Sequence, residues 1–359
     1  MTNTLRPAEV FSPGEYLRDE LAERGWTETE FAQIIGRPAQ AISEIINGHK
    51  EITAETAVAF GAALGTSAAL WLNLQTSFRL RTLEGQEQLT DPVERRARLR
   101  SLVPVNELSK RGWIPQTQDL TVLEPSICEL LGIATPSEEP AFAAAARKAQ
   151  QSREFTPQQN AWLGRVLQLA STRKTSSYDA AAFKDFASGF ATRLRNPDDL
   201  RWVEAELAAC GVLLVVLLPL KSSKLDGAAL VTAKEVPIIA LTTRGDRLDG
   251  FVFTLLHEAA HLLLGHVGSS GPCVDEERNS ETTDNNERAA DEQALKWMFP
   301  NGFIPPAQPI STAKVITAAK SYDVHPSLII GQLHKRGLLD WSRLGGSIPK
   351  VRPYISVSD

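Results

Sequence analysis

Cysteine is scarce in this chain: Cys128, Cys210 and Cys273 are the three in 359 residues, far apart and without a CxxC pair. That pattern argues against both a disulfide framework and a thiolate zinc site. A basic excess is missing too, because the formal net charge is -5. Any contact with nucleic acid must then come from a local patch and not from the general field. The opening stretch MTNTLRPAEVFSPGEYLRDE lacks an apolar signal-peptide core, and no apolar run reaches membrane-spanning length. The expectation is a cytoplasmic protein with no membrane partner. No solenoid-type repeat is visible. At 43% hydrophobic and 23% charged, the composition is that of an ordinary globular chain, long enough for two or three domains.

The first eighty residues punctuate like a bundle of short helices. Pro13 and Gly14 precede EYLRDELAERG, Thr27 caps ETEFAQIIG, Pro38 opens AQAISEIING, Thr53 caps AETAVAFGAALG and Ser67 caps AALWLNLQTSF. From about 80 to 210 the pattern stays helical but less regular, with ATPSEEPAF and RKTSSY as turns or linkers. The pattern changes at VLLVVLLP, a short apolar run, followed by GAALVTA and VPIIALTT. Three strands followed by an apolar helix suggest a separate α+β domain. The polar, acidic stretch GSSGPCVDEERNSETTDNNE after that helix reads as a surface loop or a partly disordered segment.

The apolar helix itself, FVFTLLHEAAHLLLGH at 251–266, carries His257, Glu258 and His261 in its middle. Positions i and i+4 share one face, so both imidazoles point at one place while Glu258 lies about 100° round the axis. This is the HExxH arrangement: two zinc nitrogens, and a carboxylate placed beside the water that the metal activates. Zn2+ lowers the pKa of such a water towards about 7, and Glu258 can take its proton and pass it to the leaving amine. Two His and a Glu left without a ligand in an otherwise apolar helix would be several costly polar groups at once.

A catalytic zinc wants a third protein ligand and an open position. His266 follows His261 by five residues, on the wrong side of the helix for the same ion. A better candidate lies in NERAADEQALKWMFP, where Glu287 and Asp291 are again i and i+4. Glu287 is expected to bind the metal and Asp291 to receive the ring N–H of a ligand histidine. Glu281, Asp284 and Glu292 compete nearby. A peptide substrate could pair with GAALVTA or VPIIALTT as an edge strand, and Tyr322 and His325 are possible oxyanion donors.

FTLLHEAAHLLLGH followed by ERAADEQALKWMFP resembles the ImmA/IrrE family of metallopeptidases, whose pattern pairs HExxH with a downstream ExxxN or ExxxD. The likeness extends over roughly 180 to 345, taking in LDGAALVTAKEVPIIALTTRGDR before the helix and VHPSLIIGQLHKRG after it. Met298 is separated from Pro300 by Phe299, a mild departure. The resemblance implies a zinc peptidase that cleaves a helix-turn-helix repressor or antitoxin in stress, mobile-element or defence control.

Residues LRDELAERGWTETEFAQIIGRPAQAISEIINGHK and those up to about 80 resemble the XRE-type helix-turn-helix of HigA antitoxins. In that architecture TETEFAQII is the first helix of the motif, Gly36 permits the turn, and PAQAISEIING is offered to the major groove of operator DNA. Ala39, Gln40, Ser43 and Glu44 would then face base edges and Arg37, His49 and Lys50 would meet phosphate, while Ile42, Ile45 and Ile46 are core. Residues 1–80 hold six basic against ten acidic side chains, so the module should bind DNA weakly unless it is a homodimer or is helped by Arg95, Arg96, Arg98 and Arg100 in VERRARLR; the alternative is a protein-docking or structural helical module.

The expected architecture is multidomain and mainly α. It comprises an all-α helix-turn-helix domain at 1–80, a helical connecting region at 81–180, an α+β zincin-like metallopeptidase domain at 181–345 and a tail at 346–359. The expected function is a DNA-addressed zinc endopeptidase. The alternative is an antitoxin-like transcriptional regulator whose zinc domain senses or supports without cutting.

Overall fold

A computed structural model describes residues 11–83, 87–148, 155–267, 272–276 and 285–358. The chain divides into two compact units, Met1–Glu94 and Arg95–Asp359. In the first, helix α1 (Pro13–Arg24) starts from Ser12 and Glu15, which satisfy each other's backbone N–H in a capping box. Helix α2 (Glu28–Ile34) repeats that device with Thr27 and Glu30. Gly36, at φ +61°, turns the chain into α3 (Ala39–Ile46), and α4 (Ala54–Leu64) and α5 (Ala68–Leu83) close the bundle.

The core of this unit gathers Leu17, Phe31, Ile42, Ile45, Ile46, Phe60 and Trp71. Phe60 meets Phe31 at 5.2 Å and Trp71 at 5.1 Å, both edge to face, an arrangement that contributes about 0.5–1.5 kcal/mol per pair beyond the area buried. The Trp71 indole N–H donates to Thr66 Oγ1 at 2.8 Å, so its one polar atom is satisfied. Gly14 permits a close helix crossing: a Cβ there would stand 2.4 Å from the Ile46 carbonyl oxygen.

In the second unit a four-stranded sheet is built in the order β1–β3–β2–β4. Strand β1 (Leu213–Leu217) runs parallel to β3 (Pro237–Thr242), while β2 (Leu225–Val231) runs antiparallel to β3 and to β4 (Cys273–Glu276). Successive side chains of a strand point to opposite faces. Leu213, Val215 and Leu217 accordingly join one core with α6 (Glu87–Leu102), α7 (Val105–Lys110), α8 (Leu120–Leu131), α9 (Ala141–Lys148) and α10 (Pro157–Thr172). Leu214 and Val216 join the other, with α11 (Ala180–Arg193), α12 (Val203–Ala209), α13 (Leu248–Leu263), α14 (Asn285–Met298), α15 (Thr312–Tyr322) and α16 (Pro326–Lys335).

Three sequence expectations change here. The span 81–180 is not a connector: from Arg95 onward it belongs to the second unit, and the described residues between 99 and 170 form one of the two layers covering the sheet. The physical reason is that β1 is apolar on both faces and needs cover on both. The span 346–359 is not a loose tail. Ser358 bridges Leu217 in parallel register, its N–H donating to Val216 O at 2.8 Å, and Arg173 holds both Leu214 O and Ser358 Oγ. Lastly, the stretch read as an acidic loop contains β4, where buried Cys273 and Val274 pair with Ala229 and Ala228. Strand β4 covers β2, and β3 lies between β1 and β2, so neither GAALVTA nor VPIIALTT is an edge.

Candidate metal centre and recognition helix

Helix α13 is buried along most of its length because it lies under β2 and β3 and against α14 and α16. His257 and His261, one turn apart, are 0% and 1% exposed and bring their Nε2 atoms to 2.9 Å. Glu287 on α14 reaches the same place, with Oε2 3.4 Å from His257 Nε2 and Oε1 3.4 Å from His261 Nε2. Ligand atoms of the three residues lie within 4.8 Å of one another. One ion at about 2.0–2.1 Å from each nitrogen fits between them, and two imidazoles with a carboxylate suit Zn2+. These residues therefore fit the metal that the sequence implies.

The outer nitrogens of both rings also have neighbours. Asp291 Oδ1 lies 3.0 Å from His257 Nδ1, where a carboxylate fixes the tautomer that presents Nε2. His266 stands outside the three-residue group, as its helical position requires, but its Nδ1 lies 3.0 Å from His261 Nδ1. It flanks that histidine from behind, which spacing alone did not reveal. Lys335 on α16 places Nζ 3.9 Å from Asp291 Oδ2 and 4.1 Å from the Phe253 ring centroid, and Phe253 stacks on His257.

Glu258 is fully buried beside the histidines. The room for its carboxylate comes from Gly227 on β2: a Cβ there would lie 2.8 Å from Glu258 Oε1 and 2.7 Å from Thr254 Cγ2. Gly227 was missed in the sequence, although a glycine inside a strand is a sign of close approach. Of the rival acids, Glu292 is exposed, while Glu281 and Asp284 lie outside the described residues. Tyr322 and His325 are engaged elsewhere. The Tyr322 hydroxyl accepts from Ile304 N at 2.7 Å, and His325 Nδ1 accepts from Ser327 N at 3.2 Å as the N-cap of α16. Burial lowers the His325 pKa, which suits that accepting role.

Helix α3 separates its faces as its sequence suggests. Ile42, Ile45 and Ile46 are buried; Arg37, Ala39, Gln40, His49 and Lys50 are exposed; Ser43 and Glu44 are half-buried. Gln40 Nε2 donates to Glu44 Oε1 at 3.0 Å, so these two share one position on the outer face. The Glu44 carbonyl accepts from His49 N at 2.8 Å and Lys50 N at 3.1 Å, fixing the loop that carries both side chains.

Residues 17–71 match the family model described as helix-turn-helix. Virulence-associated protein I of Dichelobacter nodosus is 35% identical over 77 residues, which is 21% of this chain and 71% of that protein. The uncharacterized HTH-type transcriptional regulator YddM of Escherichia coli K12 is 29% identical over 72 residues, 20% of this chain and 77% of its own. Among solved structures, the Pseudomonas aeruginosa antitoxin HigA with the higBA promoter shares 30% identity, with a TM-score of 0.22, over 23% of this chain and 90% of that one. No helix among the described residues is long and apolar enough to cross a membrane.

Proposed function

This chain belongs to the helix-turn-helix family through residues 17–71, and on that premise we propose that it is a DNA-binding transcriptional regulator of the antitoxin kind, with α3 entering the major groove. The observation that carries this is the two-faced α3: three isoleucines anchor it while Arg37, Gln40 and Lys50 stand exposed around it. Six basic against ten acidic residues in 1–80 give little general attraction for phosphate, so binding by a homodimer to two half-sites is the expected mode. Titrating the full chain with duplex from upstream of its own coding sequence, against shuffled duplex, tests it. Equal affinity for both would sink the regulator assignment.

A second activity is favoured by one specific observation, the buried Glu258 carboxylate with a glycine opposite it. We read the second unit as a zinc-dependent endopeptidase similar to the ImmA/IrrE family, acting on a helix-turn-helix repressor or antitoxin. His257, His261 and Glu287 would hold Zn2+, which would supply a Lewis acid able to polarise the scissile carbonyl and acidify water. Glu258 then accepts a proton from the attacking water and returns it to the leaving amine. Asp291 keeps His257 in the tautomer that offers Nε2. The apolar surroundings of α13 exclude bulk water and strengthen these interactions. An ion used only for sensing or support would need no carboxylate set beside its ligands. Comparing new protein N-termini in cells that make the wild type or Glu258→Gln tests this; identical sets in both would leave the regulator without a peptidase.

A further inference from the structure

We propose that a groove between α6, α7 and the α7–α8 connection binds a small polyanion, a nucleotide-class molecule bearing two or three phosphates. The cavity is about 460 Å³, within the range of small-molecule sites. Arg96 and Arg100, one turn apart on α6, share a helix face and line it, and Lys110 at the end of α7 is the third cation.

The basic run at 95–100 is divided by the fold. Arg95 is committed to a two-pronged pair with Glu124, at 2.8 and 2.7 Å, and Arg98 donates to Ser137. Arg111, next to Lys110, is paired with Glu107 at 2.9 Å. Arg96, Arg100 and Lys110 have no ion-pair partner among the described residues, and no carboxylate among the described residues lines the groove. Like charges one turn apart repel, so gathering three cations around one concavity is unfavourable until an anion arrives. Arginine suits phosphate oxygens through its planar fork of donors, and lysine adds a point charge.

Gln118 adds a neutral donor to the rim, and the guanidinium planes of Arg96 and Arg100 can stack on a flat ring. The concavity fits a compact polyphosphate better than duplex DNA, whose phosphates lie along a convex surface. The groove shares no residue with the metal centre or with α3, so the proposal stands apart from the functions proposed above.

The test is calorimetric titration of the full chain with ADP, with inorganic pyrophosphate and with a short duplex. The expected result is saturable one-to-one binding of ADP and pyrophosphate, ADP tighter, both weakened by added salt. Arg96→Gln/Arg100→Gln should weaken both by about tenfold or more, the scale for losing one charged hydrogen bond, and Lys110→Gln should act in the same direction. All three side chains are exposed, so melting temperature should not change, which separates lost binding from lost folding. Binding is also measured in His257→Ala/His261→Ala, where it should persist. No saturable binding, unchanged affinity in both groove variants, loss in the double histidine variant, or displacement of ADP by the duplex would each overturn the proposal.

Discussion

Gly227 on β2 and Glu258 on α13 occupy one space: a side chain at 227 would place its first carbon 2.8 Å from the Glu258 carboxylate. Gly227→Ala should therefore shift Glu258 while leaving His257, His261 and Glu287 where they are. Overpacking of this sort costs about 1–3 kcal/mol. The variant should keep its zinc and lose peptide cleavage. Normal cleavage by Gly227→Ala would show that the position of Glu258 is unimportant.

Glu287 and Asp291 differ in role although both lie on α14. Glu287→Ala should reduce zinc affinity far more than His266→Ala, because Glu287 approaches both Nε2 atoms and His266 approaches only the outer nitrogen of His261. Asp291→Ala should cost about 10–100-fold, the usual effect of removing a carboxylate behind a ligand histidine. Competition with a fluorescent chelator measures all three. A larger loss in His266→Ala than in Glu287→Ala would reverse the ligand assignment.

On α3, Lys50→Ala should weaken operator binding about equally for all sequences and lower the salt dependence by about one counterion, as loss of a phosphate contact does. Gln40→Ala should instead relax sequence preference, with about 1–3 kcal/mol less discrimination at one base pair. Fluorescence anisotropy at several salt concentrations separates them. A Lys50→Ala effect confined to one base pair would contradict the phosphate role.

His325 links stability to pH. Burial holds its folded pKa below the ordinary 6.5, so the unfolded chain binds more protons and stability falls as pH drops through about 6.5. His325→Asn preserves an N-cap side chain and removes the titration. The variant should lose less stability between pH 7 and pH 5 than the wild type in urea melts. Parallel losses would show that His325 plays no part.

The two helical signals were legible for the same reason: HExxH in an apolar helix and an i, i+4 acid pair both place their groups without help from distant chain. Capping residues Thr27 and Glu30, and the turn at Gly36, made the N-terminal bundle readable in the same local way. Strand β4 was hidden because its apolar content is only Cys273 and Val274 within a polar stretch, and its pairing depends on β2, more than forty residues earlier. The layer formed by the described helices between 99 and 170 was not legible: VLLVVLLP reads as a short apolar strand, but its sequence does not say which helices cover it. Gly227 mattered only once β2 lay across α13.

The most direct test of the proposed metal centre, on which the peptidase reading rests, is zinc content by elemental analysis of the full chain, together with Glu258→Gln and His257→Ala/His261→Ala. One zinc per chain in the wild type and in Glu258→Gln, with none in the double histidine variant, is the predicted result. Zinc at the wild-type level in the double histidine variant would contradict it.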